Sequence, residues 1–166
     1  MHTTREHGIF LYRLPSEFVP FATHPIAEGW DWEEEFHWDF SRAGEFIRTH
    51  RMRITSHPGH YSLLNTSNPE VLQVTIKDFD YHARVLDRMG LDGDSVMVTH
   101  VGGVYGDKRA SLDRFTENYQ KLTRHIKNRL VVENDDTSFT MRDVLERWPA
   151  TGWTSCWNAK TRIWLC

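Results

Sequence analysis

Three short apolar runs of this chain each lead directly into a side chain that can bind a metal ion. These side chains are His57, His100 and Glu133, and a fourth candidate, His24, follows the first apolar run. Imidazole and carboxylate together suit Mn²⁺, Zn²⁺ or Fe²⁺. A single histidine is more often an ordinary surface residue, and Glu133 could belong to an acidic turn. The prediction of a metal site therefore rests on the common position of these residues after strands.

The pattern of apolar residues predicts four strands that alternate with four helices. The strands are expected at 8–14, 52–56, 95–99 and 130–133, and the helices at 32–50, 69–89, 110–128 and from about 140 onwards. Such alternation favours a parallel sheet with right-handed crossovers. We therefore predict an α/β fold, a partial TIM (β/α)8 barrel of about four βα units, with an open doubly wound sheet as the alternative. Barrel active sites lie at the carboxyl ends of the strands, where the candidate ligands occur.

Local signals mark the ends of two of these helices. Asn68 can cap the second helix, Pro69 suits its first position, and Gly90 is a stop signal. The sequence Thr140-x-x-Asp143 resembles a capping box and predicts the start of the fourth helix.

Other residues in the same loops could contact nucleic acid. His60 and Tyr61 follow the His-Pro-Gly turn, where an aromatic ring could stack on a base or could simply pack over the rim of the barrel. Tyr105 lies in the glycine-rich run after His100. Lys108, at the start of a helix, could contact a phosphate or could be a solvated helix end.

Length and composition indicate an ordinary globular chain. It has 166 residues, a formal net charge of −3, 39% hydrophobic and 26% charged residues. There is no global basic signature, so DNA contact would require a local patch. No apolar run approaches the ~20 residues of a membrane span, and the polar start does not resemble a signal peptide. We expect no membrane association and a cytoplasmic protein, close to the nucleoid in a bacterium, or a nuclear one in a eukaryote.

The last nineteen residues differ from the rest of the chain. The segment 148–166 holds four of the seven tryptophans and both cysteines, and Pro149 interrupts the fourth helix soon after it starts. We predict a partial TIM-barrel domain at 1–147 and an aberrant, foreign or frame-shifted tail at 148–166. A tryptophan-rich docking segment is the alternative.

Several strings together resemble one known family. The most specific are His100-Val101-Gly102-Gly103-Val104-Tyr105-Gly106-Asp107-Lys108 and Glu133-Asn134-Asp135-Asp136, accompanied by Ser56-His57-Pro58-Gly59. In this order they resemble the UV-damage endonucleases of the UvdE type, over roughly residues 8–146. The resemblance implies a TIM-barrel nuclease that incises double-stranded DNA immediately 5′ of UV photoproducts and so starts excision repair.

The resemblance also implies roles for particular residues. Metal ligands would be His24, His57, His100 and Glu133, of which His100 and Glu133 would also be catalytic. They would hold a cluster of up to three ions, usually Mn²⁺. Damaged DNA would be contacted by His60, Tyr61, Tyr105 and Lys108, although the family more often has Gln where this chain has His60.

The family pattern extends beyond what this sequence contains. After the fourth helix it continues into further strands with more ligands, so the sequence predicts a fragment that is weak or inactive by itself. Two alternative enzymes share the fold: abasic-site endonucleases of the endonuclease IV type and xylose-isomerase-like sugar isomerases. A third alternative is a non-enzymatic metal-binding half-barrel. The sequence leaves metal identity and oligomeric state open.

Overall fold

The computed structural model describes residues 6–134 and 137–147. Within these residues the strands are β1 (Leu11–Leu14), β2 (Arg53–Ser56), β3 (Val96–His100) and β4 (Leu130–Glu133). The α-helices are α1 (Trp32–Glu35), α2 (His37–Thr49), α3 (Pro69–Arg88), α4 (Lys108–Gln120), α5 (Arg124–Lys127) and α6 (Met141–Arg147), and a 3-10 helix spans Pro25–Ala27. The predicted tail, 148–166, lies outside the described residues.

The four strands form one parallel sheet in the order β1-β2-β3-β4. A doubly wound sheet reverses its strand order at a switch point, whereas these strands follow one another in chain order. The strand order is therefore that of a TIM barrel, and the predicted α/β partial barrel of four βα units is confirmed. No helix of the described chain combines the length and apolar character needed to cross a membrane.

Two predicted helices are interrupted in the structure. The helix expected at 110–128 is two helices: α4 ends at Gln120, and Thr123 caps α5 by accepting a hydrogen bond from the Ile126 N–H at 3.3 Å. The helix expected at 32–50 breaks at Phe36. The first strand is also shorter than 8–14, since its pairing with β2 begins at Leu11.

Helix caps agree with the sequence signals. The Asn68 side chain accepts a hydrogen bond from the Glu70 N–H at 2.8 Å, and Gly90 takes a left-handed φ of +63° just after α3. At α6, the Asp143 carboxylate accepts a hydrogen bond from the Thr140 N–H at 2.8 Å. These caps fix where the helices begin and end relative to the strands.

The main core lies between the sheet and the helices. It unites Leu14, Ile54 and Met97 from three strands with Phe79 and Leu86 of α3, all nearly inaccessible to solvent. A smaller cluster consists of Val96, Val98 and Val131. Since side chains alternate along a strand, this smaller cluster marks the opposite face of the sheet.

Candidate metal centre

Three neighbouring strands deliver the candidate ligands to the same edge of the sheet. His57 follows the last residue of β2, while His100 and Glu133 are the last residues of β3 and β4. The strand register pairs His100 directly with Glu133. Alternation places both side chains on the face that carries Val98 and Val131. Their proximity is thus a consequence of parallel pairing.

The donor atoms of the three side chains lie close enough to share one ion. One ligand atom from each of His57, His100 and Glu133 lies within 4.8 Å of the others. Nε2 of His100 is 3.8 Å from Oε2 of Glu133, and the two imidazole centroids are 5.3 Å apart. The 3.8 Å separation is too long for a direct hydrogen bond. It suits two ligands of one ion, since each metal–ligand bond is about 2.1 Å.

Hydrogen bonding prepares His57 to act as a ligand. Its Nδ1 lies 2.9 Å from the carbonyl oxygen of Pro58. A carbonyl only accepts, so Nδ1 carries the proton and Nε2 keeps its lone pair. This hydrogen bond, made by the ring nitrogen that does not bind the metal, orients the ring, as is usual for metal-binding histidines. The Asn134 Oδ1, beside Glu133, is also buried without a hydrogen-bond partner among the described residues. The residues present fit a divalent metal ion.

The segment 57–66, which we call the β2 loop, is fastened to α3 by a buried carboxylate. Asp78, only 2% exposed, accepts hydrogen bonds from the Gly59 N–H at 3.2 Å and from the Ser62 hydroxyl at 2.5 Å. Burial raises the pKa of the Asp78 carboxyl, and the two hydrogen bonds oppose that shift. The position of the turn that carries His57 is therefore set by the helix behind it.

His82 lies one helical turn after Asp78 and is equally buried. Burial lowers the pKa of His82 to about 4, with a smaller lowering from the neighbouring His57. At neutral pH its imidazole is therefore neutral, and the 3.8 Å contact between His82 Nε2 and Asp78 Oδ1 is not an ion pair. Neither Asp78 nor His82 was singled out from the sequence. The available signal was a pair of polar residues within the apolar face of α3.

The predicted DNA-contacting tyrosines are exposed and folded back on glycines. Tyr61 is 45% exposed and Tyr105 57% exposed. A methyl group on Gly59 would lie 2.4 Å from the Tyr61 ring, and one on Gly103 would lie 3.3 Å from the Tyr105 ring. Each ring therefore covers the glycine two residues before it. His60 is exposed beside Tyr61, with 5.8 Å between ring centroids.

His24 lies outside the three-residue group in the described part of the chain. It precedes the 3-10 helix, and its Nδ1 accepts a hydrogen bond from the Ile26 N–H at 3.1 Å. In this state Nε2 carries the proton, so binding a metal through Nε2 would require the other tautomer. The role of His24 as a ligand stays a prediction.

Lys108 has a protein partner. Its Nζ lies 2.6 Å from Oδ2 of Asp143, and it also lies 5.7 Å from the ring centroid of Phe139. Lys108 and Thr140 lower the pKa of the Asp143 carboxyl. A phosphate would have to replace the carboxylate of Asp143, and the contact between Lys108 and DNA stays a prediction.

Comparison with known proteins agrees with the resemblance seen in the sequence. The family model described as UV-endonuclease UvdE matches residues 1–149. A UV DNA damage endonuclease of Clostridium perfringens is 37% identical over 141 residues, covering 85% of this chain and 34% of that protein. One from Bacillus pumilus is 39% identical over 139 residues, covering 84% of this chain and 43% of that protein.

The same relationship appears in three dimensions. The crystal structure of SacUVDE superimposes with a TM-score of 0.83 and 36% sequence identity, covering 91% of this chain and 51% of that one. The chain thus spans between about a third and a half of the length of these relatives. The match nevertheless extends over nearly all of the described residues, so the chain belongs to the UV-endonuclease UvdE family.

Proposed function

We propose that this chain forms part of a metal-dependent endonuclease that cuts double-stranded DNA at UV lesions, 5′ of the photoproduct. The observation that carries the proposal is the convergence of His57, His100 and Glu133, with donor atoms within 4.8 Å of one another. The names of the relatives, UV DNA damage endonucleases, supply the substrate class.

We assign Mn²⁺ as the ion, because a set of two imidazoles and one carboxylate accommodates it and because the family resemblance favours it. A bound ion of this kind supplies a water of lowered pKa and stabilises charge on the leaving oxygen. His57 serves as a ligand whose tautomer is set by Pro58. Glu133 is only 12% exposed, so its negative charge acts in a partly dehydrated setting where electrostatic attraction is strong. His100 and Glu133 are the proposed catalytic pair, and His24 and further residues would complete a cluster of up to three ions.

DNA contact is assigned to the exposed residues of the loops that follow β2 and β3. The rings of Tyr61 and Tyr105 are available for stacking on bases. His60 can donate one hydrogen bond and stack in the same place. Lys108 would take a phosphate in exchange for its contact with Asp143. Lesions favour such contacts because damaged DNA is easier to distort.

The proposal is tested by nicking of UV-irradiated supercoiled plasmid by the purified chain with Mn²⁺. The substrate control is unirradiated plasmid, and the test variant is Glu133→Gln. The matched control variant is Glu117→Gln, at an exposed glutamate of α4. We expect weak nicking that requires irradiation, metal and Glu133, at a rate below that of a longer relative.

Two further substrates separate the alternatives. Cutting of abasic plasmid in preference to irradiated plasmid, or isomerisation of a ketose, would contradict the proposed substrate. A folded chain that binds Mn²⁺ but leaves all DNA intact would support a metal-binding half-barrel instead.

A further inference from the structure

A second polar network joins the β2 loop to the loop after β3. We call residues 101–107 the β3 loop. Asn65, fully buried at the end of the β2 loop, donates its Nδ2–H to the Gly103 carbonyl at 2.6 Å. Gly102 has a φ of +111°, and a methyl group there would lie 2.3 Å from Oδ1 of Asn65. The close approach of the two loops therefore depends on a glycine at position 102.

Arg114 of α4 reaches both loops. Its Nε donates to the Asn65 carbonyl at 3.0 Å, and its terminal nitrogen donates to the Ser111 hydroxyl at 2.9 Å. Ser111 in turn donates to the Val104 carbonyl at 2.5 Å. The guanidinium carbon lies 5.7 Å from the ring centroid of Tyr105. One side chain thus connects the backbone of the β2 loop to the aromatic tip of the β3 loop.

Tyr105 depends on such support more than an ordinary loop tyrosine does. It is 57% exposed, and its φ of +51° lies in the left-handed region that residues other than glycine rarely adopt. Its ring has Gly103 within van der Waals reach and the Arg114 guanidinium at cation–π distance. Strained backbone at an exposed aromatic residue persists when its surroundings over-determine it.

We propose that Arg114 is a positioning residue, which holds the ring of Tyr105 in a fixed place relative to the β2 loop. The contact of Tyr105 with DNA rests on the proposed function, whereas the positioning itself does not. The guanidinium is suited to the task because its planar fork donates in two directions while its face lies against a ring. Lysine keeps the charge but loses the fork, so Arg114→Lys is the informative variant.

The positioning is tested first without DNA, by ¹⁹F NMR of the whole chain labelled with 3-fluorotyrosine. The chain has five tyrosines, and the Tyr105 resonance is the one that disappears in Tyr105→Phe. We expect Arg114→Lys to shift and narrow the Tyr105 resonance towards that of free fluorotyrosine and to leave the other resonances in place. Arg124→Lys, an exposed arginine of α5, is the matched control and should change none of them.

The second measurement is the affinity for a UV-irradiated duplex, for Tyr105→Ala, Arg114→Lys and the double variant. We expect Arg114→Lys to weaken binding about threefold to fivefold, the range of one cation–π contact, and Tyr105→Ala to weaken it about fivefold or more, the range of one stacked base. The double variant should bind no more weakly than Tyr105→Ala. Additive losses would show that Arg114 acts independently of Tyr105 and would overturn the proposal.

The two measurements separate this inference from the proposed function. An unchanged Tyr105 resonance in Arg114→Lys overturns the positioning role, whatever the DNA result. A shifted resonance in a chain that has no preference for irradiated DNA supports the positioning role and contradicts the proposed function. If all tyrosine resonances of Arg114→Lys collapse together, and Arg114→Gln behaves alike, Arg114 stabilises the whole fold and the specific role is refuted.

Discussion

The β2 loop and the β3 loop are built from similar sequences but are supported differently. In each loop a strand delivers a histidine, a glycine follows, and a tyrosine two residues later folds back over that glycine. The β2 loop is fastened by Asp78, a buried carboxylate in the middle of α3. The β3 loop is supported by the half-buried Arg114 and by the start of α4.

The same local motif is thus coupled to the core to different degrees in the two loops. Disturbing Asp78 removes the acceptor of two hydrogen bonds behind the His57 turn, so the whole protein should respond. Disturbing Arg114 releases contacts nearer the surface, so the effect should be confined to the site. Variants in each loop test this difference in coupling.

The largest effect is expected from Asp78→Ala. The Gly59 N–H and the Ser62 hydroxyl would lose their acceptor, which we expect to cost about 4 kcal/mol of unfolding free energy. Asp78→Asn is the matched control, because it keeps one acceptor oxygen without a buried charge. The unfolding free energy of both variants is measured by urea unfolding. An equal loss in Asp78→Asn would mean that the charge, rather than the acceptor, holds the loop.

The second prediction concerns pH and the buried His82. Its pKa is about 4 in the folded chain against 6.5 in the unfolded one. Between these values the unfolded chain binds the proton and the folded chain does not, so stability falls as the pH drops from about 6.5 to about 4. Because a tenfold change in proton affinity is worth about 1.4 kcal/mol, the loss of stability is on the order of 3 kcal/mol.

His82→Leu should remove most of this dependence, measured by urea unfolding at pH 7 and pH 4.5. The raised pKa of Asp78 changes the stability in the opposite sense over this pH range. The contribution of His82 is therefore the difference in pH dependence between the variant and the wild type. His37→Gln, at an exposed histidine of α2, should keep the wild-type dependence. Parallel pH curves for His82→Leu and wild type would refute the buried neutral imidazole.

A third prediction tests the contact between the two loops. Gly102→Ala would place a methyl group 2.3 Å from Oδ1 of Asn65 at a left-handed φ, and we expect a loss of about 2 kcal/mol in thermal or urea unfolding. Gly93→Ala is the matched control, because nothing lies within 4 Å of its added carbon, and it should stay within about 0.5 kcal/mol. Equal behaviour of the two variants would show that the loops do not approach as described.

The smallest effect on stability is expected from Lys108→Met. Its ion pair with Asp143 is exposed, and removing it should change the unfolding free energy by less than about 1 kcal/mol. If Lys108 contacts a phosphate, the same variant should lose one phosphate contact. The slope of the logarithm of DNA affinity against the logarithm of salt concentration should then become shallower by about one. An unchanged salt dependence would assign Lys108 to the helix contact alone.

Much of the fold followed from the sequence because local periodicity and caps determine it. The strands that lead to His57, His100 and Glu133 were predicted from aliphatic runs, and a parallel sheet brings such ends together. Asn68 and Thr140 were recognised as caps from residue type alone. The family was identified from motifs and then confirmed by the comparisons.

The long-range contacts that hold the loops of the site in place could not be predicted in the same way. Asp78 contacts Gly59 across 19 positions and Arg114 contacts Asn65 across 49, and such contacts depend on how helices pack on the sheet. The break between α4 and α5 was missed because the apolar stripe of Tyr119, Leu122 and Ile126 continues across it, while Thr123 caps only the second helix. The tautomer of His24 depends on a single backbone N–H and left no sequence signal.

The metal site itself is tested by calorimetric titration of the chain with Mn²⁺ in the absence of DNA. Wild type is compared with Glu133→Gln and with the exposed control Glu117→Gln. We expect saturable binding for wild type and the control, and a loss of at least about tenfold in affinity for Glu133→Gln. Equal affinities in all three proteins would contradict a metal site formed by His57, His100 and Glu133.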